Sequence, residues 1–443
     1  MLFKKQKKQM SGIGFIKLED TEKADIGYSF DESVGAMLFD YSAYDDVWGD
    51  YFRLTDSFKD GNVQLINNMS EAESFGIRDN AFMNGIPYYH IKAFYDYLKR
   101  DAPLYVCFAN CKSGGLPDFS AIQAAQQASG KLFQIGVWTE QEIWREETDG
   151  KYGFTGVLGN ISSNADELDG KINLPSMAPN PLSVIVFANT ARLANTGNEV
   201  DHKKIPDAIG LGFSKVSVVL GQNGGETEHN IQKGNHGSTP VGYMGVFMAC
   251  LYDASAEISV ANVGKYDINL HDDMRFPELG FGGVFNGNYN ALGDFNHFRG
   301  KILASKGYII PVTFAAKEAG VYWSSDQTLS NGIYSSISRN RVAHKIRRII
   351  RAIMTPHING TVPIDSRTLS IAKSDAAIIK SEIDKTITLY MKNNQGMPQI
   401  NQVTTVISSS KNSTILQNDS IYIDTYVIMV DNSSELHIHM EMT

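Results

Sequence analysis

The clearest hydrophobic pattern in the chain lies within residues 336–354, where large aliphatic side chains recur with helical spacing. They follow the spacing i, i+4, i+7, i+8 and i+11, at Val342, Ile346, Ile349, Ile350 and Ile353. A single apolar stripe of this kind predicts an amphipathic helix. Pro356 follows and predicts where the helix stops. The pattern then predicts a second helix over 374–392 and strands over 402–409 and 421–430.

Upstream, the chain alternates between uninterrupted apolar runs and helical patterns. Apolar runs without alternation favour strands that are covered on both faces. The predicted strands are 104–109, 133–139, 183–188, 216–220, 258–263 and 308–316. Helices are predicted over 119–129 and 242–251, and a helical, acidic pattern runs from residue 31 to 101, with Pro87 at a helix start. We therefore predict an α/β core within a fold that is α+β overall.

One short apolar run near the N-terminus has no neighbouring strand with which to form a hairpin. It spans 12–18, and its large apolar residues are Ile13, Phe15, Ile16 and Leu18. An unpaired strand exposes backbone groups that need hydrogen-bond partners. We expect this strand to pair with a distant strand of its own chain or with another chain.

Two segments rich in Gly, Asn and Asp interrupt the core, at 141–180 and 264–300. Their composition favours turns and loops, so we expect surface insertions. The resulting organisation is an N-terminal arm (1–20), an α/β body (21–318) and a C-terminal domain (319–443).

Charge sets the predicted helix at 336–354 apart from the remainder of the chain. The full chain has a net charge of −9, whereas no acid occurs between Asp326 and Asp365. Arg341, Lys345 and Arg348 form one predicted basic row beside the apolar stripe, and Arg347 and Arg351 form another. Such a helix is predicted to dock by its apolar face and to meet an anionic partner with its basic face. The alternative is a solvated surface helix.

The sequence offers little for catalysis or cofactor binding. Its glycine clusters, Gly210-x-Gly212 and 221–225, complete neither a dinucleotide fingerprint nor a phosphate loop. The histidines at 229, 236, 271 and 297 lack a metal-ligand spacing, and we interpret the alternating Glu435, His437, His439 and Glu441 as the polar face of an edge strand rather than a zinc site. We predict no catalytic, cofactor or metal site.

The remaining composition points to a protein folded in a reducing compartment. The three cysteines, Cys107, Cys111 and Cys250, are an odd number without zinc spacing, and we expect reduced packing residues. No run predicts a membrane span or a signal peptide. The negative net charge argues against nucleic acid as a direct partner of the whole molecule.

The order of the C-terminal elements resembles that of contractile-tail sheath proteins. The match consists of a Gly-aromatic strand ending in Asp326-Gln327-Thr328, then Arg341, Lys345 and Arg348 with their spacing, a proline, a second helix and a terminal β-meander. It is best over about the last 120 residues. The resemblance implies a structural subunit of a phage tail or a contractile injection system, without enzymatic activity.

Further expectations follow from the resemblance. The chain would polymerise with itself as a helical cylinder around an inner tail tube protein, and would meet baseplate and terminator proteins. The five cations Arg341, Lys345, Arg347, Arg348 and Arg351 would face the tube. The arm strand at 12–18 and the strand carrying Ile421, Ile423, Val427 and Met429 would pair with neighbouring subunits. Assembly would take place in the bacterial cytoplasm, and the product would be a virion tail or an injection particle.

Two other function classes are compatible with the sequence. One is a different self-assembling protein, such as a tube, baseplate or surface-layer subunit. The other is an enzyme or nucleotide-binding protein that uses the α/β core.

Overall fold

The computed structural model describes a little under half of the body and most of the C-terminal domain. The described residues are 32–40, 58, 63–78, 85–109, 120–129, 131–139, 145–146, 152–153, 159, 184–189, 205–220, 222–223, 242–268, 279–280, 303–312, 320–357, 361–392, 398–409, 411–412, 421–430 and 435–442. The arm strand at 12–18, Cys111, the four loop histidines and most of both insertions lie outside these residues. The predictions made for them therefore remain predictions.

A seven-stranded sheet forms the centre of the body. Its strands in chain order are β1 (Gly35–Asp40), β2 (Val63–Ile66), β3 (Leu104–Ala109), β4 (Gln134–Thr139), β5 (Val184–Asn189), β6 (Val216–Leu220) and β7 (Tyr308–Ile309). The spatial order is β7-β6-β5-β4-β1-β3-β2, and every neighbouring pair is parallel except β2 with β3. The predicted α/β core is therefore present.

Strand β1 was missed by the sequence analysis, which predicted helical structure from residue 31 onward. It lies between β3 and β4, with Met37 in register with Val106 on one side and Gly136 on the other. The run Gly35-Ala36-Met37-Leu38-Phe39 is too short to distinguish a buried strand from a buried helix by periodicity. Pairing on both edges, rather than local preference, decides its conformation.

Both faces of the sheet carry a hydrophobic core, which explains the uninterrupted apolar strands. Met37 and Phe39 contribute to one core and Ala36 and Leu38 to the other. Within the described residues, the helices of the body include α1 (Met69–Ser74), α2 (Gly85–Leu98), α3 (Ser120–Ser129) and α4 (Met244–Asp253). The first core holds α2 and α4, and the second takes Ile122 from α3.

Helices α2 and α4 approach each other unusually closely at Gly245. A Cβ atom at this position would lie 2.1 Å from the carbonyl oxygen of His90. The Gly245 N–H donates to His90 Nδ1 at 3.2 Å. The small-residue helix predicted over 242–251 is thus confirmed, and Gly245 allows the close contact.

The strand predicted at 258–263 is wrong, because this segment forms consecutive turns. The N–H groups of Ile258 and Asn262 donate to carbonyls three residues earlier, and the Ala261 N–H donates to Ser259 Oγ at 3.1 Å. Ser and Asn side chains that bind their own backbone compete with strand pairing. These local bonds outweigh the apolar content of the run.

Near the end of the body, β8 (Pro311–Val312) pairs antiparallel with β9 (Tyr322–Trp323) of the C-terminal domain. The two predicted helices follow as α5 (Ile337–Met354) and α6 (Lys373–Ile387), and α6 continues as a π-helical turn over Thr388–Lys392. Between them lies the hairpin β10 (Ile364–Asp365) and β11 (Ser370–Ile371).

The chain ends in a three-stranded antiparallel sheet of β12 (Ile400–Val406), β13 (Ile421–Met429) and β14 (Glu435–Met442), with β13 in the middle. This is the predicted terminal meander. Two two-residue ladders complete the described strands, Arg145–Glu146 with Tyr152–Gly153 and Gln222–Asn223 with Leu279–Gly280.

Candidate functional site

The Asp326-Gln327-Thr328 motif forms the support on which α5 starts. Asp326 Oδ2 accepts from Ser338 Oγ at 2.8 Å, and the Asp326 carbonyl accepts from the Ile337 N–H at 2.8 Å. Ser336 is the N-cap, and its side chain accepts from the Arg339 N–H at 3.3 Å. The Ser338 N–H also donates to Asp326 Oδ2, at 3.5 Å. A backbone carbonyl, a carboxylate and a hydroxyl therefore accept from N–H groups that a helix start leaves unpaired.

The apolar stripe of α5 packs on α6, as predicted. All five stripe residues lie in one buried cluster with Ile379, Ile383 and Ile387 of α6 and with residues of the terminal sheet. Complete burial of each such side chain stabilises the fold by about 1.5–3 kcal/mol. This cluster is the core of the C-terminal domain.

The predicted exposed basic face is wrong for three of its five residues. The solvent-exposed fractions are only 0% for Arg341, 5% for Lys345 and 8% for Arg348. They point away from the α6 side and contact the body, so α5 is covered on two sides. We call the buried contact of these three cations with the body the basic seam; Arg341 and Lys345 meet Glu32 there, and Arg348 meets the segment 131–133.

Arg341 occupies the end of helix α4. Its guanidinium donates to the carbonyls of Leu251 at 2.9 Å, Ala254 at 2.9 Å and Glu32 at 3.0 Å. The last carbonyls of a helix lack intrahelical donors and carry partial negative charge. Burial lowers the pKa of the Arg341 guanidinium from its usual value, and the Glu32 carboxylate opposes that shift. Arg341 thus replaces water at a buried helix end.

Lys345 forms the ion pair of the basic seam. Its Nζ lies 2.6 Å from Glu32 Oε2. The other carboxylate oxygen, Oε1, accepts from the Ala256 N–H at 2.9 Å and from Gln399 Nε2 at 3.1 Å. A single carboxylate thereby contacts α5, the turn after α4 and the segment leading into β12.

Arg348 is buried without a carboxylate partner. It donates to the Leu132 and Lys131 carbonyls, and its guanidinium carbon lies 4.6 Å from the centre of the Phe133 ring. Burial lowers the pKa of the Arg348 guanidinium to about 9, which still leaves it cationic at neutral pH. Stacking on an aromatic ring and hydrogen bonds to carbonyls suit arginine better than lysine.

His344 lies beside this cation and is also buried. Its Nδ1 has no hydrogen-bond partner among the described residues. Burial, together with the positive charges of Lys215, Arg347 and Arg348, lowers the pKa of the imidazole well below its usual range. The ring is therefore neutral at physiological pH.

The chain is similar to several solved structures, and two of them match over nearly its whole length. One is a chain of the cryo-EM structure of the anti-feeding prophage baseplate, with a TM-score of 0.50 at 11% identity over 93% of each chain. The other is a chain of the contracted PVC sheath complex of an extracellular contractile injection system, with a TM-score of 0.50 at 10% identity, covering 90% of this chain and 88% of that one. The chain has the same fold as these proteins.

The resemblance drawn from the order of elements is therefore confirmed at the level of the fold. No family model matches the chain, and no curated protein matches it in sequence. A sheath tail protein of Desulfitobacterium hafniense matches less well, with a TM-score of 0.38 at 12% identity, over 74% of this chain and 60% of that one. At these identities no residue role transfers from the similar structures.

Of the five residues predicted to face a tube, only Arg347 and Arg351 remain partly exposed. Both are partly buried, and Arg347 forms no ion pair with the described acids. Burial lowers the pKa of the Arg351 guanidinium from its usual value. Contact of these two residues with a tube stays a prediction.

The predicted pairing of β13 with neighbouring subunits stays a prediction, and within the single chain its own strands occupy the edges that such pairing would use. Its Ile421, Ile423, Val427 and Met429 are buried in the core of the C-terminal domain. Both edges of β13 are occupied, by β12 and by β14. A strand paired on both sides has no free backbone groups to offer a neighbour. β12 and β14 form the outer edges of the sheet. The edge of each that faces away from β13 has no partner strand among the described residues.

An exposed face of α6 was missed by the sequence analysis. Ile378 is 64% exposed and Leu389 is 59% exposed, and lysines 373, 380 and 385 are exposed on the same helix. The spacing of 11 residues places Ile378 and Leu389 on one side of the helix. The signal was available in the sequence, because two large aliphatic residues fall outside the core-facing set of α6.

The other candidate sites show no chemistry among the described residues. Gly212 adopts φ +76° at the end of a 3₁₀ turn, so the Gly210-x-Gly212 pair forms a turn, as predicted. Cys107 and Cys250 are buried thiols that form no disulfide among the described residues, and burial raises the pKa of the Cys250 thiol to about 11. Within the described ranges there is no cluster of potential metal ligands. No helix in those ranges is both long and apolar enough to span a membrane.

Proposed function

We infer that the chain is a structural sheath subunit of a contractile tail or injection machine, without enzymatic activity. It polymerises as a helical cylinder around an inner tube and contracts to drive that tube through a target envelope. The observation that carries this inference is the fold, which matches a chain of a contracted sheath complex over about nine-tenths of both chains. Baseplate and terminator proteins meet the ends of the cylinder, and assembly takes place in the bacterial cytoplasm before the finished particle is used.

The outer edges of the terminal sheet support assembly through strand exchange. β12 and β14 each leave one edge without a partner strand in the part of the chain that the structure describes. An added strand on such an edge supplies many directional backbone hydrogen bonds. The arm at 12–18 is a candidate for that added strand. Head-to-tail addition of this kind is heterologous and builds rings or open helices.

Negative-stain microscopy of the purified full-length chain tests this function. Long striated cylinders are expected. Deleting residues 1–20 is expected to leave a folded protein that forms no cylinders, and normal cylinders from this variant would contradict the arm. Smooth narrow tubes would indicate a tube subunit instead. Discrete particles with a nucleotide-dependent melting shift would indicate a nucleotide-binding protein.

The tube contact is proposed only for the accessible cations Arg347 and Arg351. Exposed ion pairs contribute about 0.2–1 kcal/mol each, so the contact depends on repetition along the tube and weakens as salt rises. Substituting both residues with Glu is expected to preserve self-assembly but to prevent assembly around a tube.

The matched control substitutes the exposed Lys373 and Lys380 of α6 with Glu. Loss of tube binding in this control alone would place the contact on α6. Unchanged tube binding in both variants would show that neither basic surface meets the tube.

A further inference from the structure

The carboxylate of Glu32 joins parts of the molecule that are far apart in sequence. Oε2 pairs with Lys345 of α5, and Oε1 accepts from the Ala256 N–H and from Gln399 Nε2. The Glu32 carbonyl accepts from Arg341. One residue therefore contacts the end of α4, helix α5 and the entrance of strand β12 simultaneously.

Glu32 also lies where the N-terminal part of the chain joins the described fold. It is three residues before β1, an interior strand of the body sheet that pairs with β3 and β4. The predicted arm strand ends at Leu18, and the 13 intervening residues span at most about 45 Å when extended. The position of Glu32 therefore determines which surfaces the arm can reach.

The contact with Gln399 connects this point to the sheet that we propose receives an arm. Gln399 is buried, and its Oε1 has no hydrogen-bond partner among the described residues. Its amide nitrogen reaches Glu32, and its backbone N–H donates to the Met391 carbonyl at 2.6 Å. The next residue, Ile400, begins β12. Glu32 therefore helps to set where β12 starts.

We propose that Glu32 is a positioning residue for assembly, which fixes the departure point of the N-terminal arm relative to the edge strand β12. The assembly part of this inference rests on the proposed sheath function. Its physical basis is the buried ion pair, in which removal of one member leaves the other charged and uncompensated. Replacing the carboxylate with an amide also weakens the hydrogen bonds accepted from Gln399 Nε2 and the Ala256 N–H, because a neutral oxygen is a weaker acceptor than a charged one.

The test uses three variants of the full-length chain and one control. Glu32→Gln removes the charge and retains the shape of the side chain. Lys345→Met removes the partner, and the double variant removes both charges. The matched control is Glu382→Gln, an exposed acid of α6 for which the structure gives no polar contact.

Hydrogen exchange of the unassembled protein is the first measurement, because it does not depend on the sheath function. In Glu32→Gln, exchange at 398–406 and along α5 is expected to rise at least tenfold, with no change in the control. In the double variant, exchange along α5 is expected to recover while 398–406 stays fast. Unchanged exchange at 398–406 in Glu32→Gln would overturn the proposal that Glu32 helps to hold the start of β12.

Electron microscopy of the assembled protein is the second measurement. The double variant is expected to give few cylinders or cylinders with altered subunit spacing. Wild-type spacing in that variant would overturn the positioning role and leave Glu32 as a charge partner only. Failure of the wild-type chain to form cylinders would instead contradict the proposed function, while the exchange result would still decide the contact with β12.

Discussion

Substituting Arg341 with Met gives a sharp test of the basic seam. The guanidinium makes three hydrogen bonds of 2.9–3.0 Å to carbonyls, two of them at the end of α4. A hydrogen bond to a charged group contributes about 1.5–3 kcal/mol, and the cost of burying the cation offsets part of the sum. Met fills similar space but leaves the carbonyls without donors. We expect the free energy of unfolding to fall by about 3–5 kcal/mol, the usual range when a buried charged partner is removed.

The matched control for this change is Arg347→Met on the same helix. Arg347 is partly exposed and has no ion pair with the described acids, so its loss is expected to change stability by less than about 0.5 kcal/mol. Arg341→Lys should lose less than Arg341→Met, because it retains the charge but not the planar fork of donors.

Urea denaturation supplies the midpoint and slope for each variant. Because a chain of this size need not unfold in one step, hydrogen exchange at 250–256 and 337–354 provides the local measurement. Faster exchange confined to these two segments is expected for Arg341→Met. Equal midpoints and equal exchange for Arg341→Met and Arg347→Met would refute the assignment of Arg341 as the buried cap of α4.

Two further predictions concern buried positions of the fold. The pKa of His344 is lowered in the folded state, so the unfolded chain binds the proton first and stability falls as pH drops below about 6.5, by up to about 1.4 kcal/mol per pH unit. Urea midpoints of His344→Leu measured from pH 7 to 5 should depend less on pH than wild type, and equal dependence would contradict this. Gly245→Ala should destabilise by about 1–3 kcal/mol or more in thermal or urea unfolding, because the added methyl meets the His90 carbonyl. Gly210→Ala, where the added methyl has open space, is the control, and equal losses would contradict the packing argument.

The body strands could be predicted because their burial depends on composition over a few residues. Val216–Leu220 is apolar or small throughout and is buried on both faces, so its pattern alone indicates a covered strand. Strand β1 was not predictable in the same way, since its run is short and lies at the start of a stretch with a helical, acidic pattern. Only the pairing of β1 with β3 and β4, contributed by residues about 70 and 100 positions away, determines it.

The ends of α5 were predictable for a similar local reason. Ser336 and Pro356 bracket the apolar stripe, and the helix runs from Ile337 to Met354. Helix caps act through the few residues beside them, so their signal is present in the sequence. The Asp326 contact with the helix start also depends only on a short loop, and the motif that suggested the resemblance therefore has a local structural role.

The surroundings of the basic rows could not be predicted, because helical periodicity identifies one apolar face and not what covers the others. A charged row was assumed to be exposed, since burying an unpaired charge is costly. In the structure, that burial cost is offset by partner groups that cannot be recognised as partners from the sequence. These are the carbonyls at the end of α4, the Phe133 ring and a carboxylate that lies 313 positions before Lys345. A run of cations without nearby acids is therefore compatible with a buried joint whenever a helix end and a distant acid can meet it. In this chain the fold brings both to α5, and of the five cations only Arg347 and Arg351 remain partly exposed.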